Sequence, residues 1–162
     1  MSITKLLADY EHGPLLLRPL LSGMAAEQID AAPVPGKWST RQVICHLADA
    51  DLLYANRFKQ IIVEDQPVVA VMDPDDYAER LFYDRRDLQA EIESIEVIRR
   101  QMSAILKSLP EEAFQRTGVH AIDGPLTLQT YIERITNHIP HHARTIADKR
   151  RALGLNIEIA GL

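Results

Sequence analysis

No disulfide can form within this chain, because Cys45 is its only cysteine, and a lone thiol suits a reducing compartment. Runs of like charge are missing too. The 18 basic and 23 acidic residues are interspersed for a formal net charge of −5, which argues against nucleic acid or an anionic membrane as partner. No uninterrupted apolar stretch approaches the ~20 residues needed to span a bilayer. The opening Met1-Ser2-Ile3-Thr4-Lys5 lacks a basic region followed by a long apolar segment, so the expected setting is the cytoplasm. Internal repeats and low-complexity tracts are also missing. Nothing divides the chain, and residues 1–162, 46% hydrophobic and 25% charged, are expected to form a single domain with a real core.

What the sequence does have is helical periodicity. Ile3, Leu6, Leu7, Tyr10, Leu17, Leu20 and Leu21 recur near a helical period over residues 3–21, and Gly13-Pro14 predicts a kink or two short pieces. Residues 22–38 read as a connection ending at Trp38. Ser39 or Thr40 then caps a second helix to about residue 63, whose seam is Val43, Leu47, Ala50, Tyr54, Phe58 and Ile61. Residues 64–83 hold Pro67, Pro74 and the acidic turn Asp73-Pro74-Asp75-Asp76. Val68-Val69-Ala70-Val71 has strand composition but no evident partner, so an ordered crossover is expected.

A third helix over residues 84–109 turns Leu88, Ile92, Ile95, Met102, Ile105, Leu106 and Leu109 inward and leaves solvated charges outside. Pro110 stops it or starts a short turn through Phe114. Residues 117–125, with Gly118 and Asp123-Gly124-Pro125, read as a loop. The fourth helix starts near residue 126 or 127 and runs to 153, where Gly154 ends it. Arg144, Lys149, Arg150 and Arg151 complement its dipole. Four amphipathic helices with long connections after the first and second imply an all-α four-helix bundle.

The chemistry concentrates in Asn137-His138-Ile139-Pro140-His141-His142, which holds three of the six histidines. His138 and His142 share one helical face, continuing the apolar stripe of Leu128, Tyr131 and Ile135, while His141 points aside. Such a pair can offer two nitrogens to one divalent ion, or can be two core-edge histidines hydrogen-bonded to neighbours. His46, on the inward flank of the second helix, adds a third nitrogen from a different element. Three imidazoles with an open position are the catalytic form of a metal site, suited to zinc or nickel and after them iron, manganese or copper. Cys45 faces elsewhere. Asp49, one turn from His46, is the nearest carboxylate for a hydrogen bond to an imidazole or for general-base work, or else a solvated helix residue. Arg57, three turns along nearly the same face, either binds a carboxylate of a substrate or thiol cofactor or closes an internal salt bridge. Pro140 either kinks a continuous helix or breaks it, with Asn137 capping a new one. His12 and His120 read as surface or loop residues, and Tyr54 and Tyr131 as core.

Trp38-Ser39, Ile44-Cys45-His46-Leu47-Ala48-Asp49, Arg57, Gly124-Pro125-Leu126-Thr127 and the closing histidine cluster together resemble the DinB/YfiT-like superfamily of four-helix-bundle metalloenzymes. The similarity runs in order from about residue 10 to 153. It implies an up-down-down-up bundle, a homodimer, and a divalent metal on His46, His138 and His142, with His141 beside the last ligand. Some relatives are thiol-dependent transferases using a low-molecular-weight thiol, and others are taken for metal-dependent hydrolases. The expectation is therefore a mononuclear metal enzyme acting on a small molecule, with thiol transfer ahead of hydrolysis. A non-catalytic, metal-stabilised dimeric stress or sensor protein is the other class.

Overall fold

The structure, a computed structural model, describes residues 2–155. Helix α1 (Ile3–His12) passes through a 3-10 turn at Gly13–Leu16 into α2 (Leu17–Leu21), the two short pieces expected at Gly13-Pro14. The first connection contains α3 (Ala26–Asp30), a short helix that periodicity was too brief to reveal. Helix α4 (Thr40–Val63) opens with a capping box: Ser39 Oγ accepts from Gln42 N at 3.2 Å, and Gln42 Oε1 accepts from Ser39 N at 2.8 Å.

The second connection holds β1 (Val68–Val69) and α5 (Pro74–Arg80). The acidic turn is in fact the start of α5, with Asp73 as N-cap and Pro74 in the first turn. Helix α6 (Leu88–Lys107) begins four residues later than periodicity suggested, because Asp87 caps it. A 3-10 turn at Glu111–Gln115 leads to β2 (Thr117–His120), β3 (Gly124–Thr127) and finally α7 (Leu128–Ala152), capped by Thr127. The loop expected at residues 117–125 is thus a hairpin, and its β2 strand supplies the partner that β1 lacked on paper. Val68 and Val69 pair in parallel with Val119 and His120.

Side-chain pairs fix the directions of the four long elements. His46 meets His138 while Tyr54 meets Tyr131, so α4 and α7 are antiparallel. Asp51 reaches Arg99 and Lys59 reaches Gln101, so α4 and α6 are parallel. Glu11 pairs with Lys107 and Arg18 with Glu96, so the first segment opposes α6. The carbonyls of Tyr10 and Ile135 share one donor residue, and those of Leu20 and Ser22 accept from Arg150, so the first segment runs along α7. The result is the up-down-down-up four-helix bundle.

Its core is not purely apolar. On α6, Ile92, Ile95, Arg99, Met102 and Leu106 are all buried at spacings of three and four, so a charged residue occupies a core position where only solvated charges were expected. Asp51 does the same on α4, between Ala48 and Ala55. The two side chains are 0% exposed and pair at 2.8 and 3.2 Å. Arg99 also donates to the Tyr10 carbonyl at 3.0 Å and to the Ile135 carbonyl at 2.9 Å. The helical donor that would ordinarily serve Tyr10 lies at position 14, which is proline and has no N–H. Gly13 is needed for this approach, since a Cβ there would stand 2.6 Å from an Arg99 guanidinium nitrogen.

A buried pair is costly to break from one side. Arg99→Met is expected to lower the urea-unfolding free energy by about 3–5 kcal/mol, by leaving the Asp51 carboxylate buried alone. Asp51→Leu combined with Arg99→Met should recover much of that loss; a double variant no more stable than Arg99→Met would show that the pair is not the origin of the effect.

Candidate metal centre

The N-terminal turns of α4 are locked from several sides. Ahead of the capping box, Trp38 lays its ring 5.1 Å from that of His46. Phe82 takes a left-handed backbone (φ 52°), and the chain turns so that Tyr83 is fully buried. Tyr83 donates its hydroxyl hydrogen to Asp49 at 2.7 Å, and Arg86 donates to the same carboxylate at 2.8 and 3.1 Å while also gripping Glu91. Among the described residues Asp49 makes no hydrogen bond to an imidazole, one of the roles its position allows, and it is not a freely solvated residue either. Asp49 instead ties α4 to the turn before α6, though its charge still reaches His46.

His46 projects from α4 toward α7, where His138 and His142 stand one turn apart. The Nε2 atoms of His46 and His138 are 3.1 Å apart, as are those of His138 and His142, and one nitrogen from each of the three lies within 4.8 Å of the other two. The three sites on two helices converge as the spacing suggested. Their place on α7 differs slightly, however: the core stripe continues through Ile139, Ala143 and Ile146, and the half-buried imidazoles flank it. Helix α7 is unbroken across Pro140. Asn137 caps nothing, its amide donating back to the Glu133 carbonyl at 2.9 Å. His141 is exposed and edge-on to His142.

Burial holds all three rings neutral. It pushes His46 down to about 4 despite the nearby charges of Asp49 and Asp75. Burial and then the neighbouring imidazoles bring His138 to about 2, and burial with His46, His141 and Lys149 brings His142 to about 3. Neutral imidazole is the form that ligates metal. A proton can bridge these nitrogens only in pairs, and the three Nδ1 atoms have no protein hydrogen-bond partner among the described residues. One cation can serve all three convergent lone pairs at once. Two nitrogens each roughly 2.0–2.1 Å from a zinc ion stand about 3.3 Å apart in a tetrahedral shell, close to the spacing present. The donor set fits a divalent ion.

Two cavities open onto the imidazoles from different sides. One, of about 340 Å³, is lined by His142 together with Trp38, Val43, Asp75, Thr145 and Lys149. The other, of about 220 Å³, is lined by His46 and His138 together with Tyr54, Met72, His120 and Arg134. A larger cavity of about 650 Å³ lies by Ser2, Leu106 and Phe114 and includes no histidine, so size alone would point to the wrong end of the bundle.

Arg57 borders the smaller cavity, but its guanidinium is committed. It donates to the Ala70 carbonyl at 2.9 and 2.5 Å and stacks over Tyr54 and Tyr131 at 4.7 and 5.8 Å. Among the described residues it forms no salt bridge, and its bonds to the Ala70 carbonyl fasten the crossover. His120 lies on β2, where its Nδ1 accepts from Ile122 and Asp123.

Two lining residues were overlooked in the sequence, Asp75 and Lys149. The Asp-Pro helix start at Asp73-Pro74 was the available signal for Asp75. Lys149 lies eleven residues past His138, three turns along the same face, and was hidden among the basic residues of the last turns. Both it and Arg150 are buried, which their reading as complements of the helix dipole does not anticipate.

A sequence profile of the DinB superfamily matches residues 10–146. An Oceanobacillus iheyensis protein named a putative metal-dependent hydrolase is 29% identical over 140 residues, covering 86% of this chain and 81% of its own length. YfiT of Bacillus subtilis, a putative metal-dependent hydrolase by name, is 26% identical over 145 residues, covering 89% of this chain and 82% of its own length. The solved structure of Bacillus subtilis YfiT superposes with a TM-score of 0.90 at 24% identity, over 96% of this chain and 91% of that one, and shows a shared fold.

His142→Ala is expected to take the purified protein from roughly one divalent ion per chain to under about a tenth of that, with its helical circular dichroism unchanged. Elemental analysis showing full occupancy in that variant would remove His142 from the ligand set.

Proposed function

The chain belongs to the DinB superfamily, and from that membership we propose that it is a metal-dependent hydrolase of small molecules, its divalent ion held by His46, His138 and His142. The observation that carries the reading is the convergence of three neutral imidazole nitrogens from two helices, with no thiolate or carboxylate completing the set among the described residues. A divalent ion bound there supplies Lewis acidity toward a carbonyl or phosphoryl oxygen and toward water.

The rest of the work falls to side chains of this chain. The two cavities let a substrate approach the imidazoles on the His142 side or on the His46 and His138 side. Trp38 packs against His46, its ring tilted 60° at 5.1 Å, and forms an apolar part of the wall beside the imidazoles. Asp75, which makes no ion pair among the described residues, is the carboxylate on the cavity wall available to take a proton from attacking water. Asp49 acts by positioning, holding the first turns of α4 through Tyr83 and Arg86.

Hydrolysis thus moves ahead of the thiol transfer that the sequence favoured. The similar proteins carry hydrolase names, and Arg57, the residue set aside for a thiol cofactor's carboxylate, is occupied by the Ala70 carbonyl.

Metal-loaded protein offered a panel of activated esters, amides and phosphoesters is expected to hydrolyse at least one. Chelation should abolish turnover, restored zinc or nickel should return it, and Asp75→Asn should lower kcat by about 10²-fold or more. A loaded protein that turns over no member, or turns one over only while consuming an added thiol, would defeat the hydrolase reading, the second result in favour of transfer.

A further inference from the structure

Burial sorts the charged groups around the cavity beside His142. Lys37, Asp75, His141 and Asp148 are exposed on its wall, and Asp148 is paired with Arg151 at 2.5 Å. Lys149 is only 3% exposed. Its ammonium makes one hydrogen bond among the described residues, a long 3.5 Å contact to the Thr145 carbonyl, and no ion pair. The next residue shows the contrast: the Arg150 guanidinium is also buried, but it donates to the Leu20 and Ser22 carbonyls at 3.0 Å. Arg150 is spent on the fold, whereas Lys149 has donors to spare. A buried cation with so little compensation is costly, and burial lowers the pKa of Lys149 accordingly.

Position gives that cation a purpose. Lys149 follows His142 by seven residues, two turns and about 10 Å along the axis of α7. Long helical side chains lean toward the N-terminus, which brings the ammonium back toward the imidazoles, and its charge is felt at His142. Val34, Trp38 and Val43 give the same cavity apolar walls, and its volume of about 340 Å³ suits a small organic molecule. A buried charge acts through a lower dielectric than the exposed groups at the rim, so Lys149 dominates the cavity's preference despite Asp75.

We propose that this cavity is the recognition subsite for the carboxylate of a small substrate, with Lys149 as its counter-ion and Trp38 and Val43 against its apolar body. The inference rests on the hydrolase reading for what happens at the imidazoles, but not for the binding itself. A substrate seated this way carries its carboxylate several bonds from the group to be cleaved, spanning from Lys149 toward His142.

Trp38 is the only tryptophan, so intrinsic fluorescence reports directly on this cavity. Protein in metal-loaded and metal-stripped forms is titrated with phenylacetate and with neutral phenylacetamide. Phenylacetate should give a saturable change in both forms, and phenylacetamide should bind weaker by about tenfold or more, the scale of a charge-assisted hydrogen bond. Lys149→Met should weaken phenylacetate by a similar factor; should that variant not fold, the two wild-type ligands decide alone. Equal binding of acid and amide, unaltered binding to folded Lys149→Met, or no fluorescence response in either form overturns the proposal. Binding that vanishes when the ion is stripped overturns it too, because the carboxylate would then be a metal ligand. Intact acid-selective binding without any hydrolysis would instead sink the hydrolase reading and leave the subsite standing.

Discussion

One guanidinium touches all four long elements of the bundle. Arg99 of α6 pairs with Asp51 of α4 and donates to backbone carbonyls of Tyr10 on α1 and Ile135 on α7. An apolar core tolerates sliding by a helical turn at modest cost, because one Leu or Ile replaces another. A buried ion pair does not, since a slip strands both charges without water. Asp51 lies five residues from His46 and Ile135 three residues from His138. Fixing those two points in register therefore fixes where the imidazoles meet, and the site inherits its geometry from a contact that takes no part in its chemistry.

The second constraint acts nearer the histidines. Asp49, Tyr83, Arg86 and Glu91 form a partly buried network that anchors the first turns of α4 to the approach of α6. Arg57 does the same at the far end, holding the crossover by the Ala70 carbonyl so that β1 can reach β2. Between these anchors α4 presents His46, whose ring packs against Trp38 and the two imidazoles of α7. Asp49 and Arg57, candidates for chemistry in the sequence, each hold protein groups from the connections: Tyr83 and Arg86 for the first, the Ala70 carbonyl for the second.

That outcome explains what was and was not legible. The four long helices, the Ser39 cap and the His138, His142 pair follow from short-range rules: period, capping chemistry and the one-turn spacing of His-x-x-x-His; His46 joins them as a flank residue of another helix and through the family resemblance. Features that depend on what lies across the bundle did not. Arg99 sits at a core position on α6 in plain view, but an isolated charge in a helical pattern reads as solvated unless its partner on α4 is known. Val68-Val69 reads as an orphan strand because its partner, β2, lies some fifty residues away inside what looked like a loop. Asp49 and Arg57 were placed on the correct faces, and their partners, Arg86, Tyr83 and the Ala70 carbonyl, come from connections whose path no periodicity encodes. Lys149 escaped for a related reason: a basic residue near a helix C-terminus has a sufficient local explanation, so its burial could not be suspected.

Pro140 shows how local rules and tertiary packing divide the work. A proline inside a helix deletes one backbone hydrogen bond and crowds the carbonyl four residues back, at a cost of ~3 kcal/mol or more in an isolated helix. Here it falls between two converging imidazoles, and α7 nevertheless runs unbroken. The flanking turns are held from outside the missing bond. Ile139 and Ala143 are fully buried against the core. Arg99 grips the Ile135 carbonyl, Asn137 bonds back to Glu133, and Thr145 Oγ1 donates to the His142 carbonyl. Core burial, the Arg99 contact and side-chain bonds within α7 thus support the turns on both sides of the proline, and with the remaining helical ladder they keep His138 and His142 aimed at His46.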